Sequence, residues 1–155
     1  MWKYGSATIH EGKSWVDDNG ITHPSNWQIW SADDKAAAGV TEVVLDAPPD
    51  ARLYTWTYNA EGKITTTPIA LATVKANFTA VVKSQQEILL FRTDWAVVRK
   101  AEKTTAIPSN ISTWRDAIRT KATAMEDLID GAADTAAVQV LIDNGSLSDW
   151  PVLGS

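Results

Sequence analysis

Few side chains in this chain could carry out chemistry, and their spacing matches no reaction. There are two histidines, His10 and His23, and no cysteine. Without cysteine or a Gly-x-Ser-x-Gly turn, nucleophilic catalysis would need a serine activated by one of these imidazoles, and nothing in the spacing pairs them. His10 with Glu11, or His23 with Asp17 and Asp18, offers nitrogen and oxygen ligands to a metal ion. Neither set follows a ligand motif, and Asp17-Asp18-Asn19-Gly20 lacks the alternating oxygens of a calcium loop. The same four residues fit a polar hairpin turn. Asp33-Asp34 and Glu126-Asp127 read as helix caps and solvated faces rather than as an acid–base pair. No glycine-rich phosphate loop is present. The expectation is therefore no enzyme, no cofactor and no metal, with the work done by surface contact.

Bulk properties narrow the partner. The 155 residues allow one compact unit or two small ones, and a net charge of −5 disfavours nucleic acid, whose phosphates call for a basic patch. The acidity is concentrated early: five Lys/Arg face nine Asp/Glu before residue 69, and nine face ten after it. The start, Met-Trp-Lys-Tyr-Gly-Ser, lacks a signal-peptide pattern, and no apolar run approaches about 20 residues, so a soluble cytoplasmic protein without membrane contact is expected. The sequons at Asn77 and Asn110 fall in expected helices and are read as coincidence.

Two halves with different periodicity must position whatever surface acts. Before Pro68 the pattern is β-rich. Ser14-Trp15-Val16 and Ile21-Thr22-His23 flank an Asn-Gly turn, which supplies the positive φ of a tight hairpin. Val40 to Leu45 reads as a strand ended by Pro48-Pro49. Leu53–Asn59 and Lys63–Thr67 form a second hairpin across Ala60-Glu61-Gly62. One short helix interrupts, with Ser31 as N-cap, Asp34 placed for a capping box and Gly39 closing it. The expected fold is α+β: a small β-sandwich-like domain over 1–67, then an α-helical domain over 68–155. Trp2, Tyr4, Trp15, Trp27, Trp30, Tyr54, Trp56 and Tyr58 all lie in the first. Tyr54, Trp56 and Tyr58 fall on one strand face, with Leu53, Thr55 and Thr57 on the other, and three aromatics on one face usually form the core of a small sheet. Eight in so short a segment exceed what one small core easily hides, so the set is also the candidate contact surface.

After Pro68, which suits the first turn of a helix, apolar residues recur at helical spacing. Leu71, Val74, Phe78, Val81, Gln85 and Ile88 are separated by 3, 4, 3, 4 and 3 residues, the pattern of a coiled-coil seam with one polar position. The same pattern arises when a helix packs within its own monomer, and it does not separate two strands from three. Thr93 or Asp94 is placed to cap a second helix with Trp95, Val98 and Arg99. A third carries Ile111, Trp114, Ile118, Met125 and Leu128, with Lys121 at one seam position, and ends at Gly131. A last helix, Thr135 to Asn144, precedes a tail whose Leu147, Trp150, Pro151 and Val152 look docked.

Residues 93–119 join two of these helices through Ile107-Pro108, with Trp95 and Arg99 on one and Trp114, Arg115 and Arg119 on the other. Together with Trp27-Gln28-Ile29-Trp30-Ser31-Ala32-Asp33-Asp34, Gly39-Val40 and Pro48-Pro49-Asp50, this segment resembles the small tail-fibre-associated proteins of tailed bacteriophages. The β-rich front followed by helices is similar to the tail fibre assembly chaperones among them. That resemblance implies a partner, the phage tail fibre protein, gripped at its distal receptor-binding end by the front domain. It also implies a homotrimer organised by the helices, folding assistance without ATP, and action in the host cytoplasm during phage assembly. Trp95, Arg99, Trp114, Arg115 and Arg119 would then be structural anchors. The alternative is a virion structural protein of the baseplate or fibre, resident in the tail. A small enzyme acting on glycans is disfavoured because no acid pair stands out.

Overall fold

The computed structural model describes residues 1–154 and divides into two compact units, Met1–Thr67 and Pro68–Ser155. The fold is α+β, with small sheets followed by helices.

The front unit holds seven short strands. β1 (Trp2–Tyr4) lies between β2 (Ala7–Ile9) and β5 (Val40–Glu42), antiparallel to both, with Trp2 opposite Ile9 and Glu42. The expected strand to Leu45 leaves the ladder early. After Glu42 only Val43 pairs, exchanging hydrogen bonds with Met1. β3 (Trp15–Val16) and β4 (Thr22–His23) form the Asn-Gly ribbon. Gly20 takes a positive φ of 79°, and the Asp17 carboxylate accepts the amides of Asn19 and Ile21. β6 (Tyr54–Tyr58) and β7 (Ile64–Pro68) form the second ribbon, turned by Gly62. A Cβ on Gly62 would lie 2.6 Å from Val43 Cγ1 and 2.7 Å from the Val44 carbonyl, so the turn and the segment after β5 meet where only glycine fits.

A 3₁₀ turn (Trp27–Ile29) leads into α1 (Ala32–Ala37). Ser31 Oγ accepts the Asp34 amide at 3.1 Å, as an N-cap does. The Asp34 carboxylate meets the Ser31 hydroxyl at 2.7 Å. The capping box therefore closes between side chains and leaves out the Ser31 amide.

The first helix of the second unit begins later than expected. Pro68 closes β7 and α2 (Leu71–Phe91) starts after Ala70, with no side-chain cap. A proline that cannot donate to a ladder is tolerated at a strand end as well as in a first helical turn, and here it takes the former place. α3 (Asp94–Lys103), α4 (Ser109–Gly131) and α5 (Thr135–Asp143) follow. Asp134 caps α5 through the Ala137 amide. α2 and α4 run antiparallel: Lys75 reaches the Asp130 carbonyl near one end, and Arg115 reaches the Leu90 carbonyl near the other.

Their buried residues correct the seven-residue reading. On α2 the inward positions are the buried Val74, Phe78 and Val82 and the half-buried Leu71, Gln85 and Leu89, and on α4 they are the buried Ile111, Trp114, Ile118, Ala122, Met125 and Ile129, with buried Arg115 beside them. Both follow spacings of 3, 4, 4, 3 and 4, an eleven-residue repeat. A straight helix drifts by about 20° per seven residues against a strict heptad pattern, and by about 20° the other way over eleven residues, so per residue the eleven-residue stripe drifts less. Val81 and Ile88 are consequently 49% and 58% exposed, Leu128 is also exposed, and Ala122 takes the inward place expected of Lys121.

Candidate functional site

The front aromatics serve first as structure. Trp27 is fully buried, its Nε1 donating to the Lys13 carbonyl at 3.0 Å. Trp2 packs edge-on against it with centroids 5.7 Å apart, and Lys35 lies over the Trp2 ring. Tyr4 packs on Trp15 at 4.6 Å, Trp15 stacks on His23 at 4.1 Å, and Trp30 meets His23 edge-on at 5.7 Å. With Ile9 and Val40 these rings form the core of the unit. Five of the eight candidate contact residues, Trp2, Tyr4, Trp15, Trp27 and Trp30, are thus committed to interior packing. Tyr54 and Trp56 are half-buried on the second ribbon, and Tyr58 is exposed, its hydroxyl donating to the Asp46 carbonyl. Leu53, expected on the strand face opposite Tyr54, instead sits fully buried in the turn before β6.

His23 has a structural environment. Its ring is sandwiched by Trp15 and Trp30, and Nε2 lies 3.3 Å from Asp17 Oδ2. Asp17 is held below the usual carboxylate range chiefly by the Ile21 amide, with His23 and the Asn19 amide adding to it against some desolvation. Asp46 is lowered likewise by Lys63 at 3.0 Å, then by the Ile64 amide, which fastens the segment after β5 to the second ribbon. Asp50 is lowered by its bidentate partner Arg52. Each acidic group acts as a turn staple. Among the described residues no three His, Cys, Asp or Glu side chains gather where they could hold a metal ion.

The most exposed of the large apolar side chains left outside this core are aliphatic. Val16 and Ile21 flank the tip of the first ribbon, Ile29 projects from the 3₁₀ turn, and Val44 follows β5. The sequence-based choice of aromatics missed these four. The available signal was alternation: Val16 follows inward Trp15 on a two-residue strand and so points out.

In the helical unit the expected anchors separate. Trp114 is buried and donates Nε1 to the Pro151 carbonyl at 2.9 Å. Arg115 is buried and donates to the Leu90 carbonyl, Thr93 Oγ1 and Asp94 Oδ1, each at 2.8 Å, joining the end of α2 and the start of α3 to α4. This occupies the Thr93 hydroxyl, which is why it does not cap α3. Trp95 departs from expectation: it is 52% exposed, with the Arg99 guanidinium 5.1 Å from its ring. Arg119 is exposed and pairs with Asp116 one turn away. Trp95 opens onto a cleft of about 510 Å³ shared with Leu89, Arg92, Ile111, Trp114 and the tail. A second, of about 540 Å³, lies among Ile88, Phe91, Asp94 and Arg115. No helix among the described residues is long and apolar enough to cross a membrane. Comparison with protein-family models, curated proteins and solved structures found no match to this chain.

Proposed function

We propose that this chain is an assembly chaperone for a bacteriophage tail fibre, working by contact and without ATP. The carrying observation is the division of labour between two compact units. The first packs Trp2, Tyr4, Trp15, Trp27 and Trp30 into or against its core and presents Val16, Ile21, Ile29 and Val44 outside; the second is built on the antiparallel α2–α4 pair, with exposed apolar residues at Val81, Ile88 and Phe91. Intertwined β-rich fibre tips expose strand edges and apolar surface before they close, and such intermediates aggregate. A partner that covers that surface reversibly shifts the balance toward the soluble form by binding energy alone. In this reading the front unit, sandwich-like in its mode of grip, holds the distal part of the fibre. The helical unit supports a homotrimer in which the exposed Val81 and Ile88 contribute to a self-associating face. The setting is the host cytoplasm during phage assembly.

The test is co-expression with the cognate fibre. The intact protein is expected to convert insoluble fibre into a soluble complex, and a Val16→Glu, Ile21→Glu double variant to lose most of that yield while keeping its fold. Undiminished yield from the variant would refute the grip assigned to the front unit. Stoichiometric protein in finished virions would favour the resident structural role instead.

A further inference from the structure

The face of α3 combines apolar surface and positive charge that the packing of the helical unit leaves unused. Trp95 and Val98, one turn apart, are each 52% exposed. The Arg99 guanidinium lies 5.1 Å from the Trp95 ring, and its Nε is buried with no acceptor among the described residues. A buried donor without an acceptor is uncommon in a folded protein and calls for one from elsewhere.

The charge here runs against that of the chain. Arg92 lies just before α3, and Trp95, Arg99 and Lys103 follow at i, i+4 and i+8 on one face of the helix. With Lys100, residues 92–103 hold four cations against Asp94 and Glu102, a balance of +2 in a chain of net charge −5. The acids do not quench them. Asp94 pairs with Arg115, and neither Glu102 nor any of the four cations makes an ion pair among the described residues. Beside the open indole lies the cleft of about 510 Å³, lined by Leu89, Ile111 and Trp114, by residues 151–153 and by the exposed Arg92.

We propose that this cleft and the adjoining face of α3 bind an acidic protein segment that carries a leucine or phenylalanine. The apolar side chain enters beside Trp95, Leu89 and Ile111, and the flanking carboxylates meet Arg92 and Arg99. The cleft has the size of sites that take one such group with its backbone. Guanidinium forks fit carboxylates two bonds at a time, and a fork already stacked on an indole gives up little freedom on binding. Charge complementarity selects the partner, because a neutral or basic segment would leave all four cations unpaired. A nucleic-acid strand would call for a longer basic track and has no use for an aliphatic cleft. The inference stands apart from the chaperone reading and needs only the helical unit.

Heteronuclear NMR of the full chain tests it. Trp95→Phe assigns one of the eight indole N–H signals to Trp95. Titration with acetyl-Glu-Asp-Leu-Phe-Asp-Glu-amide is expected to move that signal. Arg92→Ser and Arg99→Ser are each expected to weaken binding about tenfold, the loss of one charge-assisted contact. Arg92 is exposed, so its variant decides the matter if the Arg99 variant does not fold. An unmoved Trp95 signal, or unchanged affinity in the folded Arg92→Ser variant, overturns the site. Equal binding of a peptide with serine in place of leucine and phenylalanine would reduce the site to a charge patch and overturn it too. So would equal binding of a peptide with lysine in place of the acids. Tighter binding of a thymidine oligonucleotide than of the acidic peptide would overturn it in favour of nucleic acid.

Discussion

The two units bury their apolar residues by different means. In the front unit the strands run two to five residues, too short to bury much by pairing, and burial comes from rings: Trp27 at the centre, Trp2, Tyr4, Trp15 and Trp30 around it, and His23 drawn into the stack. In the helical unit the backbone satisfies itself, and a stripe of Val, Ile, Met and Ala at eleven-residue spacing closes the α2–α4 pair. The difference bears on function. A ring-built core uses many of the residues that most often make interface hot spots, and the large apolar side chains the front unit leaves exposed near its turns are mainly aliphatic. The helical unit leaves apolar residues along the edges of its stripe.

Substitutions can break this contrast. Trp27→Ala should have the largest effect, about 3–5 kcal/mol, enough to unfold the front unit while helical circular dichroism from the second persists. Loss of both signals together would mean that the units do not fold separately. Trp114→Ala should cost a similar amount, about 3–5 kcal/mol, within the helical unit. Arg115→Ala comes next at about 2–3 kcal/mol, since it strands three acceptors at the junction of α2, α3 and α4; chemical denaturation against Arg119→Ala, expected near 0–1 kcal/mol, measures the difference.

Acidification should act on the front unit through its turns. Asp17, Asp46 and Asp50 have folded-state pKa values below the usual carboxylate value, so their contribution is present above that value and is lost as the pH falls through the lowered ones. Thermal melts followed by tryptophan fluorescence should therefore fall below about pH 4, and Asp46→Asn should flatten part of that fall. An unchanged profile would show that Lys63 and the Ile64 amide do not hold the turn. The smallest effect belongs to Trp95→Ala, about a few tenths of a kcal/mol, because half its surface is already in water. A loss near that of Trp114 would place Trp95 inside an interface.

Much of this organisation can be read from the residues. Asn19-Gly20, Gly62, Ser31 and the change of period near Pro68 act locally, and local chemistry decides turns, caps and the boundary between the units. The helix faces are harder. Val81-Val82, Ile88-Leu89 and Leu128-Ile129 are adjacent apolar pairs, so seven- and eleven-residue spacings fit the sequence equally well, and only the packing partner chooses. The aromatic set misleads for a similar reason. The hairpin pairs Trp15 with His23, but nothing local says that Trp30 meets His23 from the 3₁₀ turn. Trp95 and Trp114 look equivalent near the starts of their helices, yet only Trp114 lies under the tail.

The proposed chaperone role can be tested directly with a tail fibre. Native mass spectrometry of the protein co-expressed with the cognate trimeric fibre should show a soluble complex containing copies of this chain in multiples of three, lost when Val16 and Ile21 are both changed to Glu. A fibre that reaches its soluble trimer equally well without this chain, or a chain that stays single and unbound beside it, would contradict the account.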